Sequence, residues 1–348
     1  MTKNTEAKAA TMTEIVMPRE GGPEVLETRR RALPAPGPGQ AVVRVEAAGV
    51  AFSEVQMLRG RYFGQPKFPF VPGYDLVGEV ESVGEGVDGG LLGKRVAALT
   101  ETGAWAERVA LDAKDLAAVP DGLDPADAAA AVTNGVTAWQ MLHRAAKVRP
   151  GQTVLVHGAS GGVGTLLVQL ARLTGAKVIG TASARKHDYV RALGAVPVDY
   201  RDDVPARVRE ISPGGVDAVF DHVGGPGLVD SYRMLGRGGT LVTYGSASTL
   251  SGTGHWIKPY LPIFARVLLW SAMPDGRRAA FYYVKRWPKL FQEDLSTVLS
   301  LLASGKIEAH AATRMPLEKA AEALGRLVSG GSTGKVVLLP GPATRPSS

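Results

Sequence analysis

Residues 153–183 read TVLVHGASGGVGTLLVQLARLTGAKVIGTAS, and this stretch decides the fold. A short apolar strand, Thr153–Val156, leads into the glycine turn 159–164; the amphipathic helix Gly162–Leu173 and a second apolar strand, Lys177–Thr181, follow. The free N–H groups and the positive dipole end at the start of such a helix bind the phosphates of a dinucleotide. A glycine turn inside a full strand–turn–helix–strand unit is much more specific for this function than the turn alone.

The residues of the glycine turn have different expected roles. Gly161 lets the backbone approach a pyrophosphate closely, and Gly164 lets the helix pack tightly on the strand. Ala159 stands where the usual fingerprint has its first glycine. A turn that binds no ligand is the alternative interpretation. The expected phosphate site consists of Ala159, Ser160, Gly161, Gly162, Val163 and Gly164.

The residues after the second strand indicate which dinucleotide binds. An acidic residue about 20 positions after the glycine turn would bind the ribose 2′-hydroxyl of NAD. This chain instead has Ser183, followed by Arg185 and Lys186. A hydroxyl and two cations suit a 2′-phosphate, and two cations at a helix start would otherwise oppose the helix dipole. We therefore expect NADPH rather than NADH; a solvated helix start is the alternative.

Length and composition limit the possible classes of protein. A chain of 348 residues suggests two domains. The absence of cysteine excludes disulfides, thiolate zinc sites, iron–sulfur clusters and cysteine nucleophiles. The net charge of +7 is modest, so no nucleic-acid partner is expected. Residues 1–13 contain no apolar signal core and are expected to be a disordered leader, and we expect a cytoplasmic protein.

Secondary-structure signals divide the chain in two. Residues 14–120 contain alternating apolar and polar runs such as Gln40–Ala48, separated by glycine and proline, which predicts a mostly β domain. From about Pro125 onward, strand and helix signals alternate, which predicts a parallel sheet with helices on both faces. The last strand-like run, Gly334–Leu339, is expected to return to the first domain because the parallel unit is already complete.

Five segments carry a resemblance to a known family. They are AAGVAFSEVQMLRGRY (47–62), FPFVPGYDLVGEVESVGEGV (68–87), TNGVTAW (133–139), GASGGVG (158–164) and GKVVLLP (334–340). Together they resemble the medium-chain dehydrogenase/reductase superfamily, in its zinc-independent quinone oxidoreductase and enoyl reductase branch. The resemblance implies an α/β fold with a GroES-like β-barrel catalytic domain at 14–131 and 274–348. It also implies a doubly wound Rossmann domain that binds NADP(H) at 132–273.

The family has zinc-dependent and zinc-independent members, and this chain lacks the zinc-ligating residues of the zinc-dependent ones. Zinc-dependent members carry a cysteine and a histidine in the segment matching Gly49–Glu54 and a His-Glu pair where this chain has Tyr74 and Asp75. Here Ala51 and Phe52 stand in that first segment. We therefore expect no metal. Without a metal Lewis acid, delivery of hydride to an activated C=C bond is favoured over oxidation of a simple alcohol.

The resemblance also implies residues near the reacting centre. Tyr62 matches a tyrosine of enoyl and quinone reductases and can donate a proton or a hydrogen bond to the substrate. Many relatives carry Asn at Ala51 and Tyr at Gln56, and this chain departs from them at both positions. Thr137 resembles a threonine near the nicotinamide. Four residues complete the expected cofactor cleft, three of them beyond carboxyl ends of strands: Gly224, Gly245, Ser246 and Lys335.

Residues 255–291 combine aromatic rings with most of the net charge. Over Trp256–Leu290, seven Lys and Arg residues minus Asp275 give +6, against +7 for the whole chain. Three interpretations compete. In the first, the segment is a dimer interface and helical wall. In the second, it is the mouth of a lipophilic-substrate site that touches a membrane surface. In the third, it is a docking patch for an acidic carrier protein with a thioester-linked substrate.

The expected activity is transfer of hydride from NADPH to an activated C=C bond. The substrate is a quinone, an enone or an enoyl thioester, and the resemblance implies a homodimer. Two alternatives remain open: a metal-free carbonyl reductase or dehydrogenase, and a non-catalytic adaptor that binds NADPH. An adaptor would bind NADPH and turn over no substrate.

Overall fold

A computed structural model describes residues 10–245, 247–251, 255–311 and 313–341. Its first, antiparallel part contains β1 (Thr11–Val16), β2 (Glu27–Ala32), β3 (Gln40–Val50), α1 (Phe52–Leu58), β4 (Asp75–Val83), β5 (Arg95–Leu99), β6 (Arg108–Asp112), β7 (Ala117–Ala118) and α2 (Pro125–Trp139). The parallel part contains β8 (Thr153–Val156), α3 (Gly162–Leu173), β9 (Lys177–Ala182), α4 (His187–Ala192), β10 (Val196–Asp199), α5 (Val204–Ile211), β11 (Val216–Asp221), α6 (Leu228–Arg233), β12 (Leu235–Tyr244), α7 (Leu261–Ala272) and β13 (Arg278–Tyr282). The final segment contains α8 (Phe291–Ala303), β14 (Thr313–Pro316), α9 (Ala320–Val328) and β15 (Val336–Leu339).

The long strand β3 organises the antiparallel sheet. It pairs with β4, β6 and β15, and the sheet continues from β4 through β5 to β7 and from β15 to β14. In the middle of β3, Val43, Val45 and Ala47 are buried while Arg44 and Glu46 are partly exposed, as the apolar–polar alternation predicts; both ends of the strand are more continuously buried. Because β15 pairs with Val50, Gly49 and Ala48, this last strand lies beside the end of β3, just before α1.

The parallel sheet has the strand order β10-β9-β8-β11-β12-β13. Its central strands are short and mostly apolar, with Leu155 and Phe220 fully buried, because helices cover both faces. The strand β13 belongs to this sheet, where Arg278 pairs with Thr240 of β12. This strand lies beyond the expected boundary after residue 273, and we therefore propose that the Rossmann domain extends through Tyr282. In the sequence, this strand lies within residues 255–291, which we call the basic aromatic segment, and its residues there show no strand pattern.

One continuous helix, α2, connects the two sheets. The sequence predicts two helices separated near residues 133–137, but α2 runs through this stretch and passes into a π-helical turn, Gln140–Ala145. Asp124 starts it by accepting hydrogen bonds from two backbone N–H groups of the first turn. Gly135 allows close packing on α8, since a Cβ there would lie 2.6 Å from Val298 Cγ1. Three residues of this stretch, Thr133, Asn134 and Thr137, line a cavity.

The first described residues differ from the expected leader. The strand β1 begins at Thr11, and Met12 is fully buried, so residues 11–13 belong to the fold rather than to a disordered segment. The pairing of β1 with β2 explains the difference, because Thr11 lies opposite Ala32 and Thr13 opposite Arg30. Within the described residues, no helix combines the length and apolar character that crossing a membrane requires.

Candidate active site

The glycine turn and the start of α3 form one wall of a cavity of about 430 Å³. Gly161 is the N-cap of α3, and Gly158 has a φ of 66°, which favours glycine. A Cβ at Gly164 would lie 2.1 Å from the carbonyl oxygen of Gly158, so only glycine permits this approach of helix and strand. The first turn of α3 lines the cavity, and the N–H groups at the start of an α-helix have no partners within the helix.

The six predicted turn residues separate into two groups. Gly161, Gly162, Val163 and Gly164 line the cavity. Ala159 and Ser160 lie behind it: the Ala159 N–H donates to Thr181 O (2.9 Å), and Ser160 O accepts from the Gly334 N–H (3.1 Å). These two residues hold the turn against β9 and the start of β15, and they are absent from the described cavity lining.

The three residues predicted to bind the 2′-phosphate, Ser183, Arg185 and Lys186, have different positions relative to the cavity. Lys186 lines the cavity, and its Nζ donates to Ser332 O (2.7 Å) and Gly330 O (3.2 Å). Burial and the neighbouring Arg185 lower the pKa of Lys186. Arg185 Nη2 donates to Gly330 O (3.4 Å), and the carbonyl oxygen of Ser183 accepts from the Lys186 N–H (2.8 Å). Only Lys186 of the three is part of the described cavity wall.

Unpartnered polar atoms on the wall fit a ligand with its own hydrogen-bonding groups. Thr133 Oγ1 and His222 Nδ1 are buried, and neither has a hydrogen-bond partner among the described residues. Burial lowers the pKa of His222, which keeps the ring neutral. Buried polar atoms without partners are rare in folded proteins, so a dinucleotide beside the glycine turn suits this wall.

The other predicted cleft residues occupy different positions. Thr137 on α2 and Gly245 after β12 line the cavity. Gly224 lies outside the described lining, and its N–H donates to Asp221 Oδ1 (2.9 Å). Ser246 lies outside the described residues. Lys335 lines the cavity and is almost fully buried.

Three tyrosine hydroxyl groups meet at the cavity. Tyr62 Oη lies 2.6 Å from Tyr74 Oη and 3.3 Å from Tyr283 Oη, and all three residues line the cavity. Burial raises the pKa of Tyr62 and of Tyr74 well above the usual value for tyrosine. Tyr62 therefore stays protonated at neutral pH and remains a hydrogen-bond donor.

A buried charged cluster lies next to these tyrosines. Lys335 Nζ lies 3.2 Å from Asp75 Oδ2, and Asp75 also accepts the N–H groups of Gly49 (3.0 Å) and Thr133 (3.1 Å). Gly49 makes room for this pair, since a Cβ there would lie 2.0 Å from Asp75 Oδ1. Glu54 is fully buried nearby, and its burial raises its pKa to about 7. Lys335 immediately precedes β15, Asp75 begins β4, and Glu54 lies in α1.

Aromatic rings form the far end of the cavity. Phe63 packs against five rings, with centroid distances of 5.3 to 6.3 Å: Trp256, Tyr260, Phe264, Phe281 and Tyr283. Gln56 ties α1 to this group, donating to Tyr260 Oη (3.0 Å) and Thr249 Oγ1 (3.1 Å). The basic aromatic segment thus contributes directly to the cavity.

Sequence reasoning missed Glu54, Tyr283 and the hydroxyl of Tyr74. The position of Tyr74 is recognisable from the sequence, because zinc-dependent relatives have a zinc ligand there. The sequence does not show that the tyrosine hydroxyl contacts Tyr62. Glu54 lies in the other segment where zinc-dependent relatives carry ligands, residues 49–54. Tyr283 has no local signal, because its partner Tyr62 is 221 residues away in the chain.

A dinucleotide-type glycine turn that faces a group of tyrosines across one cavity defines the class of two-domain oxidoreductases. Comparison with known proteins identifies the family within this class. A family model described as the alcohol dehydrogenase GroES-like domain matches residues 37–121, and one described as zinc-binding dehydrogenase matches residues 193–338. Nowhere in the described residues do three or more His, Asp or Glu side chains come together as metal ligands.

Full-length relatives agree with these models. The human synaptic vesicle membrane protein VAT-1 homolog is 35% identical over 326 residues, which cover 91% of this chain and 83% of that protein. A Pseudomonas syringae quinone oxidoreductase superposes with a TM-score of 0.83 at 32% identity, covering 94% of this chain and all of that one. The Escherichia coli quinone oxidoreductase, solved with NADPH, gives a TM-score of 0.83 at 28% identity, covering 95% of this chain and all of that one.

The chain belongs to the medium-chain dehydrogenase/reductase superfamily, in the zinc-independent quinone oxidoreductase branch, and it is an oxidoreductase. The predicted family and the predicted α/β fold class, a GroES-like domain with a Rossmann-type parallel sheet, are confirmed.

Proposed function

We propose that the protein transfers hydride from NADPH to an activated C=C bond of a quinone, an enone or an enoyl thioester. The observation that carries the proposal is the cavity itself, which has the glycine turn and Lys186 on one wall and the hydroxyl of Tyr62 on another. The NADPH-bound relative from Escherichia coli supports the choice of cofactor. When bound, NADPH supplies the hydride.

Lys186 and the start of α3 bind the phosphates. The two contacts of Lys186 Nζ are to neutral carbonyl oxygens, and a 2′-phosphate would add the charge-assisted hydrogen bonds that these contacts lack. The N–H groups of the first turn of α3 bind the pyrophosphate. Thr137 and Gly245 also line the cavity and would hold the nicotinamide.

Tyr62 binds the substrate oxygen on which negative charge develops. A donor that is already aimed at that oxygen stabilises the transition state more than the ground state. Tyr74, 2.6 Å away, orients the hydroxyl group of Tyr62. The high pKa of Tyr62 suits it to hydrogen bonding and makes full loss of its proton costly.

The aromatic end of the cavity favours an apolar substrate. Phe63, Phe281 and Tyr260 line it, and close ring packing excludes water from the reacting bond. A lipophilic quinone or enone fits this wall directly. A thioester on an acidic carrier protein requires the cations of residues 255–291 outside the cavity as well.

We also propose a homodimer. The strand β13 ends the parallel sheet, and α7 beside it exposes 75% of Leu268 and 62% of Leu269. A sheet edge next to exposed apolar side chains favours pairing with a second copy. Light scattering of the wild type and of Leu268→Asp measures this directly, and a monomeric wild type contradicts it. The cytoplasmic location stays a prediction.

The test of the activity is oxidation of NADPH, followed by absorbance, with 1,4-quinones, α,β-unsaturated ketones and enoyl thioesters. NADH is the control for cofactor choice. Turnover of one class with NADPH preferred supports the proposal. Turnover of saturated aldehydes or ketones alone favours the metal-free carbonyl reductase. Binding of NADPH without any turnover favours the adaptor.

A further inference from the structure

We propose that Glu54 holds the proton consumed in the reduction and passes it to the substrate through the hydroxyl of Ser53. The proposal rests on the proposed reduction, which consumes one proton for each hydride transferred. Tyr62 is a poor source of that proton because burial raises its pKa far above neutrality. A carboxyl group that titrates near neutral pH is a better one.

The position of Glu54 behind Ser53 supports this role. Ser53 lines the cavity, and its Oγ lies 3.0 Å from Glu54 Oε2. Oε2 also accepts the N–H of Ala51 (2.9 Å), which caps α1. Capping needs only one carboxylate oxygen. The other, Oε1, is buried and has no hydrogen-bond partner among the described residues.

The charges around Glu54 favour its protonated form. Asp75 and Lys335 form a pair of zero net charge, with Lys335 Nζ 3.2 Å from Asp75 Oδ2. A second ionised carboxylate would leave this buried cluster with an uncompensated negative charge, which is costly. Desolvation and Asp75 raise the pKa of Glu54 while Lys335 lowers it, and the result is about 7. Tyr62, the other titratable group that interacts with it, is neutral.

Each proton that the substrate receives is replaced in the relay. Ser53 Oγ gives its proton to the substrate atom that carries the new electron pair, the α-carbon of an enolate or the oxygen of a reduced quinone. Ser53 takes the carboxyl proton of Glu54 in the same step, and Glu54 becomes a carboxylate. After the product leaves, solvent in the cavity returns a proton along the same path. Ser53 is then the catalytic residue, and Glu54 acts through it.

The first experiment detects the proton without any reaction. The infrared difference spectrum of wild type minus Glu54→Gln, without substrate, is expected to show a protonated carboxyl band at about pH 6 that is lost by about pH 8, on either side of the expected pKa. Absence of the band at about pH 6 overturns the proposal. Because this measurement needs no turnover, failure of the proposed reduction and failure of this proposal are separate results.

The second experiment measures kcat with the best substrate of the panel. Glu54→Gln keeps an acceptor for the Ala51 N–H and is expected to lower kcat about 10²-fold, the usual contribution of a general acid. Wild-type kcat is expected to fall as pH rises through about 7, because only protonated Glu54 supplies the proton, and Glu54→Gln is expected to lose this dependence. A Glu54→Gln variant with kcat within twofold of the wild type overturns the proposal.

Ser53→Ala provides an independent variant if Glu54→Gln fails to fold. It keeps the carboxyl group and its infrared band but removes the relay, so a similar loss of kcat is expected. The double variant is expected to be no slower than the slower single variant, because the two residues act as a unit. Ser300→Ala, an exposed helical serine, is the matched control. Full activity of Ser53→Ala contradicts the relay.

Discussion

The ammonium group of Lys335 lies 3.2 Å from the carboxylate of Asp75, and the exposed fractions of these side chains are 3% and 0%. The pair joins the residue just before β15 to the first residue of β4, 260 residues earlier in the chain. Asp75 also accepts the N–H of Thr133 from α2 (3.1 Å), so one carboxylate connects three elements around the cavity. The site and the closure of the fold therefore depend on the same pair.

Asp75→Asn is expected to destabilise the protein strongly. The substitution leaves Lys335 as a buried charge without its partner, and breaking a buried pair in this way costs about 3–5 kcal/mol. Urea unfolding measures the loss. Asp188→Asn is the control, since Asp188 is 99% exposed and its pairing with Arg191 contributes little. Equal unfolding midpoints for both variants contradict a structural role for the buried pair.

Tyr62→Phe is expected to lower kcat while leaving NADPH affinity unchanged. Loss of one hydrogen bond to a developing oxyanion costs about 10² to 10³ in rate. Steady-state kinetics give kcat, and fluorescence titration gives the Kd for NADPH. Tyr200→Phe is the control, because Tyr200 is 56% exposed. A fully active Tyr62→Phe variant is incompatible with the proposed role.

Lys186→Ala is expected to weaken NADPH binding and leave NADH binding unchanged. A charge-assisted hydrogen bond to phosphate contributes about 1.5–3 kcal/mol, so the Kd for NADPH rises about 10- to 100-fold. Arg185→Ala is the matched control, with a smaller expected effect because Arg185 lies outside the described cavity lining. Titration of both dinucleotides separates the effects, and a parallel rise in both Kd values excludes recognition of the 2′-phosphate by Lys186.

The parallel unit was predictable because its signals are local. The bounds of β8 and α3 match the predicted Thr153–Val156 and Gly162–Leu173, and β9 extends only one residue further, to Ala182. Buried strands and a glycine turn leave a strong pattern in a short stretch of sequence. The strand β13 gave no such pattern, because it is an edge strand within a basic aromatic segment and becomes recognisable only when paired with β12.

The site was predictable only in part, for a similar reason. Gly161, Gly164 and Lys186 belong to one local unit of the sequence, and all three line the cavity, while their binding of the cofactor stays a prediction. The cluster of Glu54, Asp75 and Lys335 depends on the return of the last strand to β3, which brings distant residues together. The spacing of these residues in the sequence does not indicate that they come into contact. Glu54 is recognisable as a candidate functional residue only from its burial in the structure.

Gly164→Ala and Gly325→Ala are expected to change stability in opposite directions. A Cβ at Gly164 would lie 2.1 Å from Gly158 O and 2.8 Å from Ala159 Cα, and both are backbone atoms that cannot rotate away. Helix α3 must then move from β8, and such overpacking costs about 1–3 kcal/mol. Gly325, inside α9, has no atom within 4 Å of its Cβ position among the described residues. Alanine there gains helix propensity, about 1 kcal/mol. Thermal unfolding of both variants measures the contrast, and NADPH titration is expected to show weaker binding for Gly164→Ala alone. If the two substitutions shift the midpoint in the same direction, close packing of α3 does not explain the glycine.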